Sequence, residues 1–343
     1  MGLTKLPTLY YADDGEKRGP MTTFRVRFHP TEPKLLVQIV DRRLALFDLA
    51  AEPTKEIKGK GKGVLGELVT PHEIGWVRAL DISPDGKQVI TGGSDRTLRL
   101  WPWIDGKPAE KPTQQVAAHA GWVEAVGYSP DGKFIVSVGA DRLVKVWNAA
   151  DLTPVKTLNG HTKFIADAVF TADGQRCLTG GEDGLVIAWN TADWSQQRSI
   201  DFGQSNDQFG QTPRHSGVHR LSISHDQKWL AVIGGEKLDI VNLETGEAVA
   251  TEKASMDVCF SPQLPLLAAG EQDVKVWEYN AEQFQPGGKD KNGKLQPPKA
   301  IAGKVAGNVK RGDWSLGMRF SPTGKQLALG KSDGTVEFYE VTS

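Results

Sequence analysis

The chain has 343 residues, 39% of them hydrophobic, and its 41 Lys and Arg against 42 Asp and Glu give a formal net charge of −1. That balance leaves no concentrated positive field for nucleic acid or for an anionic membrane surface. The two cysteines, Cys177 and Cys259, sit in apolar runs with no partner at a disulfide or metal-ligand spacing, so they read as buried free thiols.

The first 19 residues lack a charged stretch followed by an apolar core, so no signal peptide is expected. No run of about 18 apolar residues offers a membrane span, and a reducing cytoplasm is the expected setting. A short apolar segment, residues 6–11 (Leu-Pro-Thr-Leu-Tyr-Tyr), comes first. Residues 24–48 then alternate apolar and polar positions around a His-Pro turn. Residues 59–75 follow, with a Gly-Lys-Gly-Lys-Gly run. This run has neither the Gly-Lys-Ser/Thr ending nor the following helix of a phosphate loop, so it reads as a flexible loop.

Residues 77–101, 123–147 and 165–189 repeat one pattern closely. In the second of these, Phe134, Val136 and Val138 alternate with Ile135, Ser137 and Gly139. An Ala-Asp-Arg break follows, and then Val144, Val146 and Trp147. Together with the preceding strand this reads as three strands joined by two tight turns, Pro-Asp-Gly and Ala-Asp-Arg. One sheet this small cannot bury enough apolar surface alone. Weaker copies cover 218–242, 257–279 and 316–340, making seven with 24–48. Connections 201–217 and 280–312 are long. The latter is polar and rich in Pro and Gly, and it reads as a solvated excursion between the third and fourth strands of the sixth copy.

A repeat of 40–50 residues built from short strands means a propeller or a solenoid. The three close copies carry Ser-Pro-Asp-Gly (83–86 and 129–132) or Thr-Ala-Asp-Gly (171–174), then a Gly-containing turn with Asp, then Trp six residues after that Asp (Asp95 to Trp101, Asp141 to Trp147, Asp183 to Trp189). On these motifs the chain resembles the WD40-repeat β-propeller family, bacterial WD40 chains included. The resemblance covers nearly all of it. It implies an all-β, seven-bladed propeller with four antiparallel strands per blade and residues 1–343 as one domain. An N-terminal strand, drawn from residues 6–11, is expected to complete blade 7.

Three copies hold the family's polar positions: His72, Thr91, Asp95 and Trp101; His119, Ser137, Asp141 and Trp147; His161, Thr179, Asp183 and Trp189. A His–Asp–Ser set invites a hydrolase reading. A triad should occur once and open on a pocket, whereas this set occurs three times, so no catalytic residues are expected. The resemblance implies buried structural tetrads instead. The other blades depart from the pattern. Blade 1 has Asp41 with Phe47, and blade 7 has Asp333 with Tyr339. Blades 5 and 6 lack the Asp, although blade 6 keeps Trp277. His215 and His219 lie four apart beside a long loop. Two possible ligands without a third do not make a metal site, and no metal or cofactor is expected.

The resemblance also implies which residues face the top of the ring. One position holds Thr22, Trp76, Trp122, Phe164, Gly217, Ala254 and Trp314. Two residues on come Phe24, Arg78, Glu124, Ala166, His219, Met256 and Leu316. The expected partner-binding residues are Phe24, Trp76, Arg78, Trp122, Glu124, Phe164, Trp314 and Leu316, since large aromatics and Arg are what protein hot spots are made of. The expected function is a non-catalytic scaffold, monomeric on its own, that binds a protein or peptide and neither nucleic acid nor membrane. The alternative is an enzyme or small-ligand binder at the channel mouth. The aligned channel positions read as mainly small or apolar, which weighs against it.

Overall fold

The computed structural model describes residues 2–11, 23–39, 43–52, 55–57, 61–69, 72, 74–202, 217–235, 237–254, 256–270, 273–280, 284, 299–300, 304–309, 315–332 and 335–342. The backbone forms seven antiparallel blades around a central channel. Blade 3 is representative: Val123–Tyr128, Phe134–Gly139, Val144–Asn148 and Pro154–Leu158, in that order from the channel outward.

Burial explains the strand sequences. The second strand is buried on both faces because a blade packs against each side, so it reads as a near-continuous apolar run, as in Phe134–Gly139. The fourth strand lies at the rim, and Pro154–Leu158 is exposed at all but its last residue. Among the described residues there are seven apolar clusters, one between each pair of neighbouring blades. The first strands touch in a closed ring, with Thr23–Phe28 of blade 1 against both Val77–Ile82 of blade 2 and Ser315–Phe320 of blade 7. Each blade therefore covers its neighbour's face, which is how so small a sheet is stabilised.

The ring closes through the N-terminus, but not through the segment expected. Gly2–Lys5, rather than residues 6–11, is the fourth strand of blade 7, antiparallel to Val336–Thr342 with Gly2 opposite Thr342 and Lys5 opposite Tyr339. The Leu6 amide still donates to the Phe338 carbonyl at 2.8 Å. Pro7 has no N–H to offer a ladder, and beyond it the chain crosses over. Leu9–Tyr11 bridges to Val336 at Leu9 and runs parallel to Gly61–Val69, the outer strand of blade 1. One stretch of ten residues thus joins blades 7 and 1 into a single ten-stranded sheet.

Two insertions also differ from expectation. Residues 61–63 of the Gly-Lys run lie in a strand, hairpinned with Lys55–Ile57 and continuing into the pairing of Leu44–Asp48 with Gly61–Val69. The insertion after blade 6's third strand is not wholly solvated. Phe284 is buried, its ring centroid 5.2 Å from both Trp229 and Tyr279. Further on, Lys299–Ala300 pairs with the outer strand of blade 5 before Lys304–Val309 completes blade 6.

Candidate functional site

Three polar chains cross blades 2, 3 and 4. In blade 3 the Trp147 indole N–H donates to Ser137 Oγ at 2.9 Å, and Ser137 Oγ lies 2.8 Å from His119 Nε2. His119 Nδ1 lies 2.8 Å from Asp141 Oδ1. The indole can only donate and the carboxylate can only accept, so the protons run one way: Trp to Ser, Ser to His, His to Asp. The other Asp141 oxygen accepts the Ala120 amide at 2.9 Å. Blade 4 repeats the geometry through Trp189, Thr179, His161 and Asp183, and blade 2 through Trp101, Thr91, His72 and Asp95.

Burial works against the Asp141 charge, but the His119 hydrogen bond and the amides of Ala120 and Leu143 outweigh it and hold the pKa below the usual value. Asp183 is lowered in the same way, burial being overcome by the Thr162 amide and His161. Blade 2 adds a member with no counterpart in the repeat pattern. Arg99 Nη1 donates to Asp95 Oδ2 at 2.7 Å, the oxygen that His72 Nδ1 also faces. Burial opposes the Asp95 charge too, yet His72 and Arg99 bring its pKa far below the carboxylate range. Each histidine of the three sets is buried, with no side-chain surface facing a cavity.

We call the top the face on which the first strands begin. There, Trp76, Trp122 and Phe164 are held alike: the carbonyl of each accepts a 2.9 Å hydrogen bond, from the amides of Ser94, Ala140 and Glu182 respectively. Their side chains stay in solvent, at 54%, 50% and 38% exposure. Ile74, two residues before Trp76, is 74% exposed. Trp101, Trp147, Trp189, Trp194, Trp229 and Trp277 are all buried. Arg78 and Glu124 do not present free charges. Arg78 donates from Nε and Nη2 to Glu124 Oε2, at 3.0 and 2.6 Å, and its guanidinium carbon sits 4.8 Å from the Trp122 ring centroid. The pair props the Trp122 ring. Phe24 and Leu316 lie in the first strands of blades 1 and 7. Trp314, like Asp41, His215 and Asp333, lies outside the described residues. On the far side, Gly217 and Ala254 are buried.

The channel corrects the expectation of small or apolar positions. Arg25 of blade 1 reaches across to Asp167 of blade 4, Nη1 to Oδ1 at 3.3 Å, and donates to the Glu124 and Ala166 carbonyls. Arg27 pairs with Asp81 at 3.0 Å, and Arg220 with Asp257 at 3.5 Å. Burial, then the Arg220 charge, lowers the Arg25 pKa to about 10. The acids also brace neighbours. Asp81 accepts the Tyr128 amide, Asp167 the Leu221 amide and Asp257 the Met318 amide, at 2.9, 3.0 and 2.6 Å. The first strand of each blade is an edge with unpaired N–H groups, and these side chains satisfy some of them.

Among the described residues no helix is long and apolar enough to cross a membrane, and no group of three or more His, Cys, Asp or Glu side chains is placed to hold a metal ion. Residues 65–102, 110–148 and 152–190 match the family model described as WD domain, G-beta repeat. No curated protein matches the chain. The three matched segments fall on the outer strand of blade 1 and on blades 2, 3 and 4, and the remaining blades repeat their architecture around the closed ring. The chain is a WD40-repeat β-propeller, of a family whose members generally mediate protein–protein interaction.

Proposed function

We propose that the chain is a non-catalytic scaffold that binds a protein or peptide segment on its top face. The anchors are Trp76, Trp122 and Phe164, and the arc extends through Phe24, Trp314 and Leu316 on blades 1 and 7. The observation that carries this reading is the exposure of three large aromatics at one repeat position, while the other tryptophans named above are buried. The fold does not need them there. Rigid aromatics that lose little entropy on docking are the usual hot-spot anchors, and a contiguous exposed apolar patch on a propeller face marks an interaction site.

Arg78 and Glu124 satisfy each other, so apolar anchoring dominates. His219, at the same repeat position on blade 5, lies 3.1 Å from Glu182 and is paired in the same way. The partner segment therefore carries two or more apolar side chains spaced to meet adjacent blades. Peptides selected from a random displayed library on the wild-type protein, with counter-selection on Trp76→Ala/Trp122→Ala, test this. Expected are peptides sharing paired apolar anchors that bind the wild type and not the double variant, with melting temperature unchanged between the two proteins. Peptides that bind both equally would place the site elsewhere. A double variant that unfolds would show the rings to be core.

A further inference from the structure

The channel's charges fall into two tiers. The upper tier, nearer the top face, holds Arg25 and Arg220 against Asp167 and Asp257, two of each sign, all engaged. The lower tier lies two residues further along each first strand, next to the turn into the second strand. It holds Arg27, Asp81 and Arg319. The other four blades place Gly127, Val169, Ser222 and Cys259 there, none of them charged. This tier has two cations against one anion.

The one acid is already committed. Asp81 Oδ1 accepts from Arg27 Nε at 3.0 Å, and Oδ2 accepts the Tyr128 amide at 2.9 Å. Among the described residues, no carboxylate or carbonyl lies within hydrogen-bond or ion-pair distance of Arg319. Its charge is nonetheless felt. After burial, Arg319 is the largest cause of the lowered Arg27 pKa. Both arginines are half-buried, not sealed. Above them the Arg25–Asp167 bridge spans the channel from blade 1 to blade 4, so the lower tier is approached most directly from the face that carries the turns. Two like charges in a partly desolvated recess repel. Arg319 also favours the charged forms of Asp167 and Asp257 in the tier above, yet the two tiers together still hold four cations, Arg25, Arg27, Arg220 and Arg319, against three anions, Asp81, Asp167 and Asp257.

We propose that Arg27 and Arg319 form a binding site for a small carboxylate, entered from the face that carries the turns between first and second strands. A carboxylate brings one negative charge and neutralises the tier. Its two oxygens match the planar donor fork of a guanidinium. A phosphate dianion would overshoot the charge and meet the Asp81 carboxylate. The carboxylate comes either from a free acid or from the C-terminus of an extended peptide, and the chemistry at the arginines is the same.

The test is a titration of the full chain, followed by melting temperature and calorimetry, at constant ionic strength. The probes are sodium acetate, a short peptide with a free C-terminus, the same peptide amidated, sodium phosphate and sodium chloride. Acetate and the free-acid peptide should stabilise saturably beyond chloride, and the amidated peptide should not. A free-acid peptide far tighter than acetate identifies a chain terminus, and equal affinity identifies a free acid. Arg319→Gln should weaken carboxylate binding by about tenfold or more, the loss of a charge-assisted partner, and Arg319→Lys by less. In chloride alone Arg319→Gln should melt close to the wild type, the repulsion removed from Arg27 offsetting the attraction lost toward Asp167 and Asp257. Carboxylates no better than chloride, phosphate better than acetate, full binding by Arg319→Gln, or an Arg319→Gln chain that is unfolded in chloride would each overturn the site.

Discussion

A tetrad is worth what its members would lose unpaired. His119→Ala strips Asp141 of its Nδ1 donor and Ser137 of its acceptor, and both groups stay buried. The cost is about 1–3 kcal/mol for each stranded group. Lys133→Ala removes only an exposed ion pair with Asp131, worth at most about 1 kcal/mol. Chemical denaturation of the two variants should separate them clearly, and equal costs would contradict the network. The same carboxylates set an acid limit. Asp141 and Asp183 have folded pKa values below the ordinary carboxylate value. Their contribution is complete above the unfolded pKa of about 3.9 and is lost as pH falls through the folded values. Melting temperature should drop steeply below about pH 4, and Asp141→Asn should be less stable at neutral pH with a shallower drop. The positions of the tetrads were legible because the spacing from Asp to Trp recurs three times. Arg99 was not, because it enters only blade 2, where blade 3 has Lys145 and blade 4 has Ile187 at the corresponding place.

At the level of strands and turns, the repeats differ in how well each suits its own backbone. The turn between second and third strands puts one residue in the left-handed region: Arg96 at φ 69°, Arg142 at φ 70°, and Gly184 at φ 82°. Only glycine adopts this without strain. Arg142 is exposed, so Arg142→Gly should stabilise by about 0.5–1 kcal/mol, the relief of left-handed strain less the entropy glycine adds to the unfolded chain. A loss of stability by calorimetry would mean the guanidinium has a role of its own. The closing strand makes the opposite demand. Deleting residues 2–11 uncovers Val336–Thr342 along its length and cuts the bridge to blade 1. It also takes Lys5 from the buried Glu337, 3.2 Å away. An open edge pairs with other chains. The truncated protein should aggregate and melt much earlier, and light scattering showing an unchanged monomer would refute this. That an N-terminal strand closes blade 7 was legible from the unfinished last copy. Its residues were not, since Gly2–Lys5 has no apolar pattern and pairs through its backbone. The Gly-Lys run misled for the same reason: its side chains suggest a loop, but a ladder needs only N–H and C=O groups.

Around the ring as a whole, neighbour-to-neighbour packing leaves one question: what fixes the distance across the channel. Each apolar cluster spans only two adjacent blades, so errors in blade angle could accumulate. Arg25 and Asp167 tie blade 1 directly to blade 4, and the donation from Arg25 to the Glu124 carbonyl takes in blade 3. Reading each blade against the repeat could not reveal this bond. Its partners are 142 residues apart, and the one column that holds both, Arg25, Ala79, Ala125, Asp167, Arg220, Asp257 and Gly317, does not say which of its charges meet across the ring. Both groups are buried, Arg25 at 8% and Asp167 at 2% exposure. Burial opposes the Asp167 charge, and Arg25 and Arg220 together still hold its pKa below the usual value. Arg25→Met should therefore strand a buried carboxylate and cost about 3–5 kcal/mol. Asp167→Asn keeps an acceptor for the Leu221 amide while removing the charge. Combined with Arg25→Met it should recover part of the loss, with a coupling of about 1 kcal/mol or more between the two positions. If the two changes simply add, the bond across the channel carries no stability, and the seven blades are held by their neighbours alone.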